Sequence, residues 1–227
     1  MNCKVKLPKV IEKDSFNDVK ISDRPYEFVE SYLNSIYDLI LDSLNDFSRV
    51  TAFRFDLRFP KDYKVESDVN YMRLFWSSVK SKIEAEIKRR NNSVSREKPR
   101  YAWCKEIKNA KNHHYHLLLL VNKNNFRSIG DYTRKKPFNG GCKHIYQMLV
   151  EAWSSALKID IKDAHNLVFI PDNCTYHIHR GKSESDLNNA LCNEGFNELF
   201  RRVSYLAKLK SKKYGDGQRS FGSSRRS

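Results

Sequence analysis

The sequence predicts an α+β domain, an antiparallel sheet of about five strands with helices packed on it. Three observations lead to this class. Segments with apolar residues at helical spacing are interleaved with segments whose apolar residues alternate at period two. The segments 100–108 and 113–122 both have strand character and are separated only by the short polar stretch KNAKN, as in a hairpin. No stretch approaches the roughly 18 uninterrupted apolar residues of a transmembrane helix.

The helices of the first half are indicated by spacing. Residues 1–24 mix charges with short apolar pieces and are expected to form an N-terminal extension. In 25–47, apolar residues recur three, four and seven apart, which predicts an amphipathic helix with Pro25 in its first turn. A second helix is predicted over about 67–90, followed by a loop over 91–100.

The first strand is predicted from the alternation in RVTAFRFDLRFP, residues 49–60. Its aromatic and aliphatic side chains fall on one face and its charged side chains on the other, so we expect a half-buried strand that ends at Pro60. The charged face consists of Arg54, Asp56 and Arg58. It is either a surface that binds single-stranded DNA or an ordinary solvated strand face.

The second half adds a hairpin, two helices and two short strands. The hairpin is formed by 100–108 and 113–122, and the short strands lie within 166–173 and 175–179. Helices are predicted over 140–157 and about 185–210. The glycine- and serine-rich segment 211–227 is expected to be a flexible basic tail. The domain itself therefore covers 25–210, and its order of elements fits a ferredoxin-like or RRM-like sandwich.

Composition indicates an anionic partner. The chain has 227 residues, 40% of them hydrophobic, and a net charge of +15. Nucleic acid is the favoured partner, whereas a membrane surface is less favoured because no basic amphipathic helix has a clean apolar face. Five cysteines, an odd number without CxxC spacing, argue against a disulfide framework or a zinc ribbon. With no apolar signal segment at the start, we expect reduced thiols and a cytoplasmic location.

A candidate metal site lies in the stretch NHHYHLLLLVN, residues 112–122. Side chains two apart on a strand share a face, so His114 and His116 point the same way. The hairpin brings Glu106 close to them as a third ligand, and two imidazoles plus a carboxylate suit Mg²⁺ or Mn²⁺. Alternatively, these histidines only make hydrogen bonds at the start of a strand.

The remaining histidines are weaker candidates. His177 and His179 also form an HxH pair, but no carboxylate lies a hairpin away from them, so we expect packing or DNA contact there. His113 and His144 are expected to be neighbours of the site rather than ligands.

A candidate nucleophile lies in RRVSYLAKLKSKK, residues 201–213. Tyr205 and Lys208 are three apart and would share one face of a helix. A phenol, with a pKa of about 10, needs a nearby cation or metal to react as phenolate. Tyr214 is the rival nucleophile, and YxxK also occurs by chance. The basic residues expected to hold DNA phosphates in this region are Arg201, Arg202, Lys210, Lys212, Lys213 and Arg219.

Together, these motifs resemble the HUH endonucleases, and more closely the YagK/YfjJ family of replication-initiator-like proteins of filamentous phages and prophages. The similar blocks are FRFDLRFP, YAWCKE leading to HHYHLLLLVN, LVFIPDN, and RRVSYLAKLKSKKYGDGQRSFGSSR, spread over about 50–225. The resemblance implies His114 and His116 as metal ligands with Glu106 as the third, Tyr205 as nucleophile and Lys208 beside it. Arg58 departs from the family pattern, whose first strand tends to read D-L-H.

The function implied by the resemblance is that of a metal-dependent, site-specific single-strand DNA endonuclease and strand transferase. Such an enzyme initiates rolling-circle replication through a 5′-phosphotyrosine link. The implied partners are a single-stranded DNA origin, in a hairpin, and the replication machinery of a bacterial host cell, and no membrane. Two alternatives remain: a non-catalytic nucleic-acid-binding regulator on the same fold, and an RNA-binding sheet protein with exposed stacking aromatics.

Overall fold

The structure of the chain is a computed structural model that describes residues 8–22, 26–91, 98–109, 112–133, 144–181, 194–210, 212 and 218–225. The helices are α1 (Glu30–Asp46), α2 (Tyr71–Asn91), α3 (Ile145–Leu157), α4 (Ile161–His165) and α5 (Glu194–Val203), which continues into a 3₁₀ turn (Ser204–Ala207). The strands are β1 (Val10–Ile11), β2 (Ser15–Phe16), β3 (Val19–Lys20), β4 (Phe28–Val29), β5 (Arg49–Arg58), β6 (Arg100–Asn109), β7 (Asn112–Asn122), β8 (Val168–Phe169), β9 (Thr175–His179) and β10 (Phe221–Ser223).

A six-stranded antiparallel sheet forms the centre of the molecule. The strand order is β10–β6–β7–β5–β8. Strand β9 also pairs with β5, along its first half from Arg49 to Phe53. The predicted α+β class is therefore confirmed, and so is the β6–β7 hairpin. Of the six strands in this sheet, the prediction missed β10, which lies in the segment expected to be a tail.

Both faces of the sheet are buried, which corrects the prediction of a half-buried first strand. Helices α2 and α3 cover the face that carries Phe53, Phe55 and Leu57. Helices α1 and α5 cover the other face, which includes Val50 and Ala52. Every residue of β5 except its two terminal arginines is buried as a result.

The N-terminal segment is part of the fold. Strand β1 pairs with β4, and β2 pairs with β3 in a small hairpin. Val19 and Ile21 are fully buried under α1 and α5. Because Phe28 and Val29 form a strand, α1 begins at Glu30 and not near Pro25 as predicted.

The C-terminal segment also differs from the prediction. The last helix turns from α to 3₁₀ geometry at Ser204, so the predicted helix to residue 210 is too long. Phe221–Ser223 pairs with Ala102–Cys104, which corrects the expectation of a flexible tail over these residues.

Within the described ranges, no helix is long and apolar enough to cross a membrane.

Candidate metal centre

The register of the β6–β7 hairpin brings three metal-ligating side chains together. Glu106 lies directly opposite His114, and His116 lies two residues further along β7. Directly opposed residues of antiparallel strands, and residues two apart on one strand, share a face of the sheet. The predicted cluster of Glu106, His114 and His116 is thus formed, with one ligand atom from each within 4.8 Å of the others.

The spacing of the ligand atoms fits a small octahedral ion. Glu106 Oε2 lies 2.7 Å from His116 Nε2 and 3.2 Å from His114 Nε2, and the two imidazole nitrogens are 3.1 Å apart. Neighbouring ligands of an octahedral ion bound at about 2.1 Å are themselves separated by about 3 Å. The three atoms are therefore close enough together to hold one such ion.

The cluster stands on a rigid support. Leu117 to Leu120, directly after His116, are all essentially inaccessible to solvent. Leu117 and Leu119 pack under α2 and α3, while Leu118 and Leu120 pack under α1 and α5. The histidines consequently extend from a strand that is held from both sides.

Asp56 orients His116, a role that the sequence did not reveal. It lies opposite His116 in the β5–β7 pairing, and His116 Nδ1 donates a hydrogen bond to its Oδ1 at 2.6 Å. This contact directs Nε2 of the same ring toward Glu106, an arrangement common around protein-bound metals. The sequence shows Asp56 on the polar face of FRFDLR. To predict that Asp56 lies opposite His116, however, one needs the register between two strands that are distant in the chain.

The charges around Asp56 and His116 are mutually stabilising. Burial alone would raise the pKa of Asp56, but the hydrogen bond and charge of His116, with the Arg54 guanidinium, lower it below its usual value. Burial alone would lower the pKa of His116, but hydrogen bonds to Asp56 and Glu106 raise it. Without a metal, the cluster thus favours a protonated imidazole between two carboxylates.

Arg54 is buried beside this pair. Its Nη2 lies 3.8 Å from Asp56 Oδ1, and its side chain is 9% exposed. Neither Arg54 nor Asp56 therefore presents a solvated strand face, and both contact the metal-site network instead. Their predicted contact with DNA remains a prediction.

Tyr205 meets the cluster through Glu106. Its hydroxyl donates to Glu106 Oε1 at 3.1 Å, and its ring lies edge-on to His116 with centroids 5.3 Å apart. Tyr205 lies on the 3₁₀ turn that follows α5, not on an α-helix as predicted. Burial, and then the charge of Glu106 and the hydrogen bond to it, raise the pKa of the Tyr205 phenol.

Lys208 completes the group, although by a different geometry from the predicted helix face. It follows the 3₁₀ turn and forms an isolated β-bridge with Phe28. Its Nζ lies 3.8 Å from Glu106 Oε1 and 4.9 Å from the centre of the Tyr205 ring. Burial and Glu106 raise the pKa of the Tyr205 phenol in the metal-free site, and the role of Lys208, to lower that pKa or to hold a phosphate oxygen, stays a prediction.

The basic residues predicted to hold DNA fall into different environments. Lys212 is mostly buried, its Nζ donates to the Lys208 carbonyl, and burial lowers its pKa. It is therefore not the solvated tail residue that was expected. The exposed members are Arg58, Arg202, Lys210 and Arg219, and Arg201 is half-buried. Lys213 and the rival nucleophile Tyr214 lie outside the described residues.

The other histidines are not ligands of this cluster. His177 and His179 are exposed on the edge strand β9, and Nδ1 of His177 lies 3.3 Å from the Thr51 hydroxyl. His113 points to the opposite sheet face, where its ring contacts Phe59. His144 caps the start of α3. Among the described residues, the group of side chains that could hold a metal ion is Glu106 with His114 and His116, and the roles expected for the other histidines stay predictions.

Comparison with known proteins identifies relatives over nearly the whole chain. A family model described as the YagK/YfjJ C-terminal domain matches residues 11–224. The uncharacterized protein YagK of Escherichia coli strain K12 is 30% identical over 207 residues, which cover 85% of this chain and 91% of that protein. The uncharacterized protein YfjJ of the same strain is 30% identical over 210 residues, or 87% of this chain and 95% of that protein. No solved structure matches the chain significantly.

Proposed function

This chain belongs to the YagK/YfjJ C-terminal domain family, and from its metal-ligand cluster and adjacent tyrosine we propose that it is a metal-dependent, site-specific single-strand DNA endonuclease and strand transferase. Its role would be to start rolling-circle replication by nicking an origin, which a hairpin presents as a single strand. This assigns the protein to the HUH type of nickase. The cytoplasm of a bacterial host is its proposed location.

The observation that supports the proposal best is the shared position of Glu106. Its Oε2 faces His114 and His116, while its Oε1 accepts the hydrogen bond of Tyr205 at 3.1 Å. One carboxylate therefore joins a metal-ligand triad to a potential oxygen nucleophile. A structural tyrosine would not need this connection, since a buried hydroxyl can be satisfied by any backbone carbonyl.

The proposed reaction uses these positions. A bound Mg²⁺ or Mn²⁺ would polarise the scissile phosphate and offset the charge that develops on it. The Tyr205 oxygen attacks phosphorus, the bond from phosphorus to the 3′ oxygen breaks, and a 5′-phosphotyrosine and a free 3′-hydroxyl result. Glu106 Oε1 is placed to accept the phenolic proton, and the leaving 3′ oxygen takes a proton from solvent. Host polymerase would extend the 3′-hydroxyl.

Lys208 would assist the transfer of the Tyr205 phenolic proton to Glu106. With its ammonium 3.8 Å from Glu106 Oε1 and over the Tyr205 ring, it favours negative charge on either oxygen. That charge is disfavoured in the metal-free site, where the pKa of Tyr205 is raised. Neutralisation of Glu106 by a bound ion would remove part of that effect, so we propose that ion binding and phenolate formation are coupled.

Incubation with single-stranded DNA tests the proposal directly. The DNA should cover the gene and its flanks, so that the test needs no prior choice of origin sequence. With Mn²⁺ present, a covalent protein–DNA adduct should form, and mass spectrometry after nuclease digestion should locate a nucleotide on Tyr205. His114→Ala with His116→Ala should abolish the adduct, whereas His177→Ala with His179→Ala should retain it.

The alternative, a non-catalytic DNA-binding regulator, has a distinct outcome. Such a protein would bind the same DNA with strong salt dependence but form no adduct with any divalent ion. Equal loss of adduct in both histidine double variants would instead show that the wrong pair has been assigned to the metal.

A further inference from the structure

An aromatic side chain lies exposed beside the metal cluster. Phe169, in the two-residue strand β8, is 42% exposed, whereas its neighbour Val168 is buried in the core. Phe169 pairs directly with Asp56, so its ring is on the sheet face that carries His116. Only the width of β5 therefore separates Phe169 from the hydrogen-bonded histidine, a distance of about 10 Å across two strand spacings.

A cation lies on this ring. The Arg58 guanidinium carbon is 4.4 Å from the centre of Phe169. Arg58 is itself directly opposite His114 in the β5–β7 pairing. Arg58 and Phe169 thus form an exposed pair that borders the metal cluster along one side.

Arg58 has no carboxylate partner among the residues that the structure describes. Its side chain contacts the Phe169 ring, and its backbone carbonyl accepts a hydrogen bond from the Trp153 indole. Arg54, four residues earlier and on the same face, is by contrast buried and close to Asp56. An exposed arginine without a counter-ion is suited to a phosphate, which it can bind with two parallel hydrogen bonds.

We propose that Phe169 and Arg58 form a nucleotide subsite for single-stranded DNA next to the scissile phosphate. The base stacks on Phe169, and Arg58 binds a phosphate of the same strand. Aromatic platforms of this kind accept any base, because every base has a π-face. This inference rests on the proposed function for its substrate, single-stranded DNA. It adds the path of the DNA strand, which would cross the end of β5 from the metal cluster toward β8.

The subsite gives the two residues separable effects. Stacking requires a base but accepts any of the four, whereas the phosphate contact requires a charged phosphate and no base. Phe169→Ala should therefore weaken binding of a thymidine oligonucleotide of about 12 residues by about tenfold, and should not affect a fully abasic strand of the same length. Arg58→Gln should weaken both strands alike and reduce the salt slope by about 0.7.

Fluorescence anisotropy without metal measures these affinities independently of nicking. Tyr132→Ala is the matched control, since Tyr132 is equally exposed at 42% and contacts Tyr146 of α3, which packs on the opposite sheet face. It should leave both affinities unchanged. Phe169→Trp should restore thymidine binding, which excludes a folding defect as the cause of the loss.

The outcomes distinguish the subsite from the proposed function. An equal loss on thymidine and abasic strands for Phe169→Ala, or no loss on either, would overturn the subsite even if the wild-type chain forms an adduct. Binding with the expected base dependence but no adduct would overturn the catalytic proposal and retain the subsite. Failure of the wild-type chain to bind either strand would overturn both.

Discussion

Asp56 and His116 are connected by a hydrogen bond that directs the imidazole toward the metal position. Asp56→Asn retains the size of the side chain but removes the charge that stabilises this orientation. Mn²⁺ affinity should fall about 10- to 100-fold, as is usual when such a supporting carboxylate is lost. Isothermal titration calorimetry measures the change. Asp163→Asn, an exposed change on α4, should have no effect, and an unchanged affinity in Asp56→Asn would show that His116 is oriented by other contacts.

If the cluster binds a metal ion, His116 should make that binding depend on pH. Burial opposes its protonation, but Asp56 and Glu106 outweigh burial and raise its pKa, so the metal-free cluster keeps its proton to a higher pH than a free imidazole. A metal ion must displace that proton. Below the pKa of His116, affinity for Mn²⁺ should therefore fall by about tenfold for each unit of decreasing pH. Titrations in buffers of different ionisation enthalpy should detect proton release, and an affinity that is constant over this range would contradict the assignment of His116 as a ligand.

The four consecutive leucines of β7 show what the sequence could and could not reveal about an element. A continuous apolar run is typical of a strand buried on both faces, and Leu117 to Leu120 indeed alternate between the two cores. The hairpin and the Glu106–His114–His116 cluster were predictable because they depend on local turn length and period two. The second helical layer was not, because α1 and α5 meet that face from opposite ends of the chain.

Because β7 is buried on both faces, we expect its leucine side chains to contribute strongly to the free energy of unfolding. Leu118→Ala should lower the free energy of unfolding by about 2–5 kcal/mol, since the side chain is fully buried under α1 and α5. Leu74→Ala, at an exposed position of α2, should change it by less than about 0.5 kcal/mol. Urea denaturation measures both. Similar losses for the two variants would mean that β7 is less firmly packed than the structure indicates.

In the proposed mechanism, the 3₁₀ turn favours Tyr205 as the nucleophile. It is anchored by the Phe28–Lys208 bridge on one side and by α5 on the other, so the Tyr205 hydroxyl has a fixed position relative to Glu106. Near-attack placement of this kind lowers the barrier by several kcal/mol, roughly. Tyr205→Phe should eliminate the covalent adduct with little change in DNA affinity, Tyr214→Phe should retain it, and Lys208→Ala should slow its formation. An adduct that persists in Tyr205→Phe would move the assignment to Tyr214.

At the scale of the whole molecule, the net charge of +15 should appear as salt dependence. If basic residues neutralise DNA phosphates, the logarithm of the binding constant should fall linearly with the logarithm of salt concentration, by about 0.7 for each phosphate on a single strand. Replacing the exposed Lys210 and Arg219 with Gln should reduce that slope by about 1.4 if each holds one phosphate. Anisotropy titrations measure the slope, and an affinity independent of salt would argue against nucleic acid as the partner.

Composition predicts that the chain is basic, but it does not predict which Lys and Arg side chains are buried and which are accessible. Lys212 and Arg54 are withdrawn into the molecule, whereas Arg58, Lys210 and Arg219 remain accessible. The difference depends on which elements cover each residue. For Lys212 it depends on the path of the chain after Lys208, which no local pattern specifies.

The pairing of β10 with β6 means that Phe221–Ser223 shields the strand carrying Glu106 from other molecules. Phe221 stacks on Tyr32 with ring centroids 4.3 Å apart, and a Cβ on Gly222 would lie 2.7 Å from the Trp103 indole, so only glycine fits there without a shift. Without this cover, β6 would be an open edge, a ready template for strands of a second copy. A deletion that removes Phe221–Ser223 should therefore expose this edge and promote self-association and precipitation of the protein.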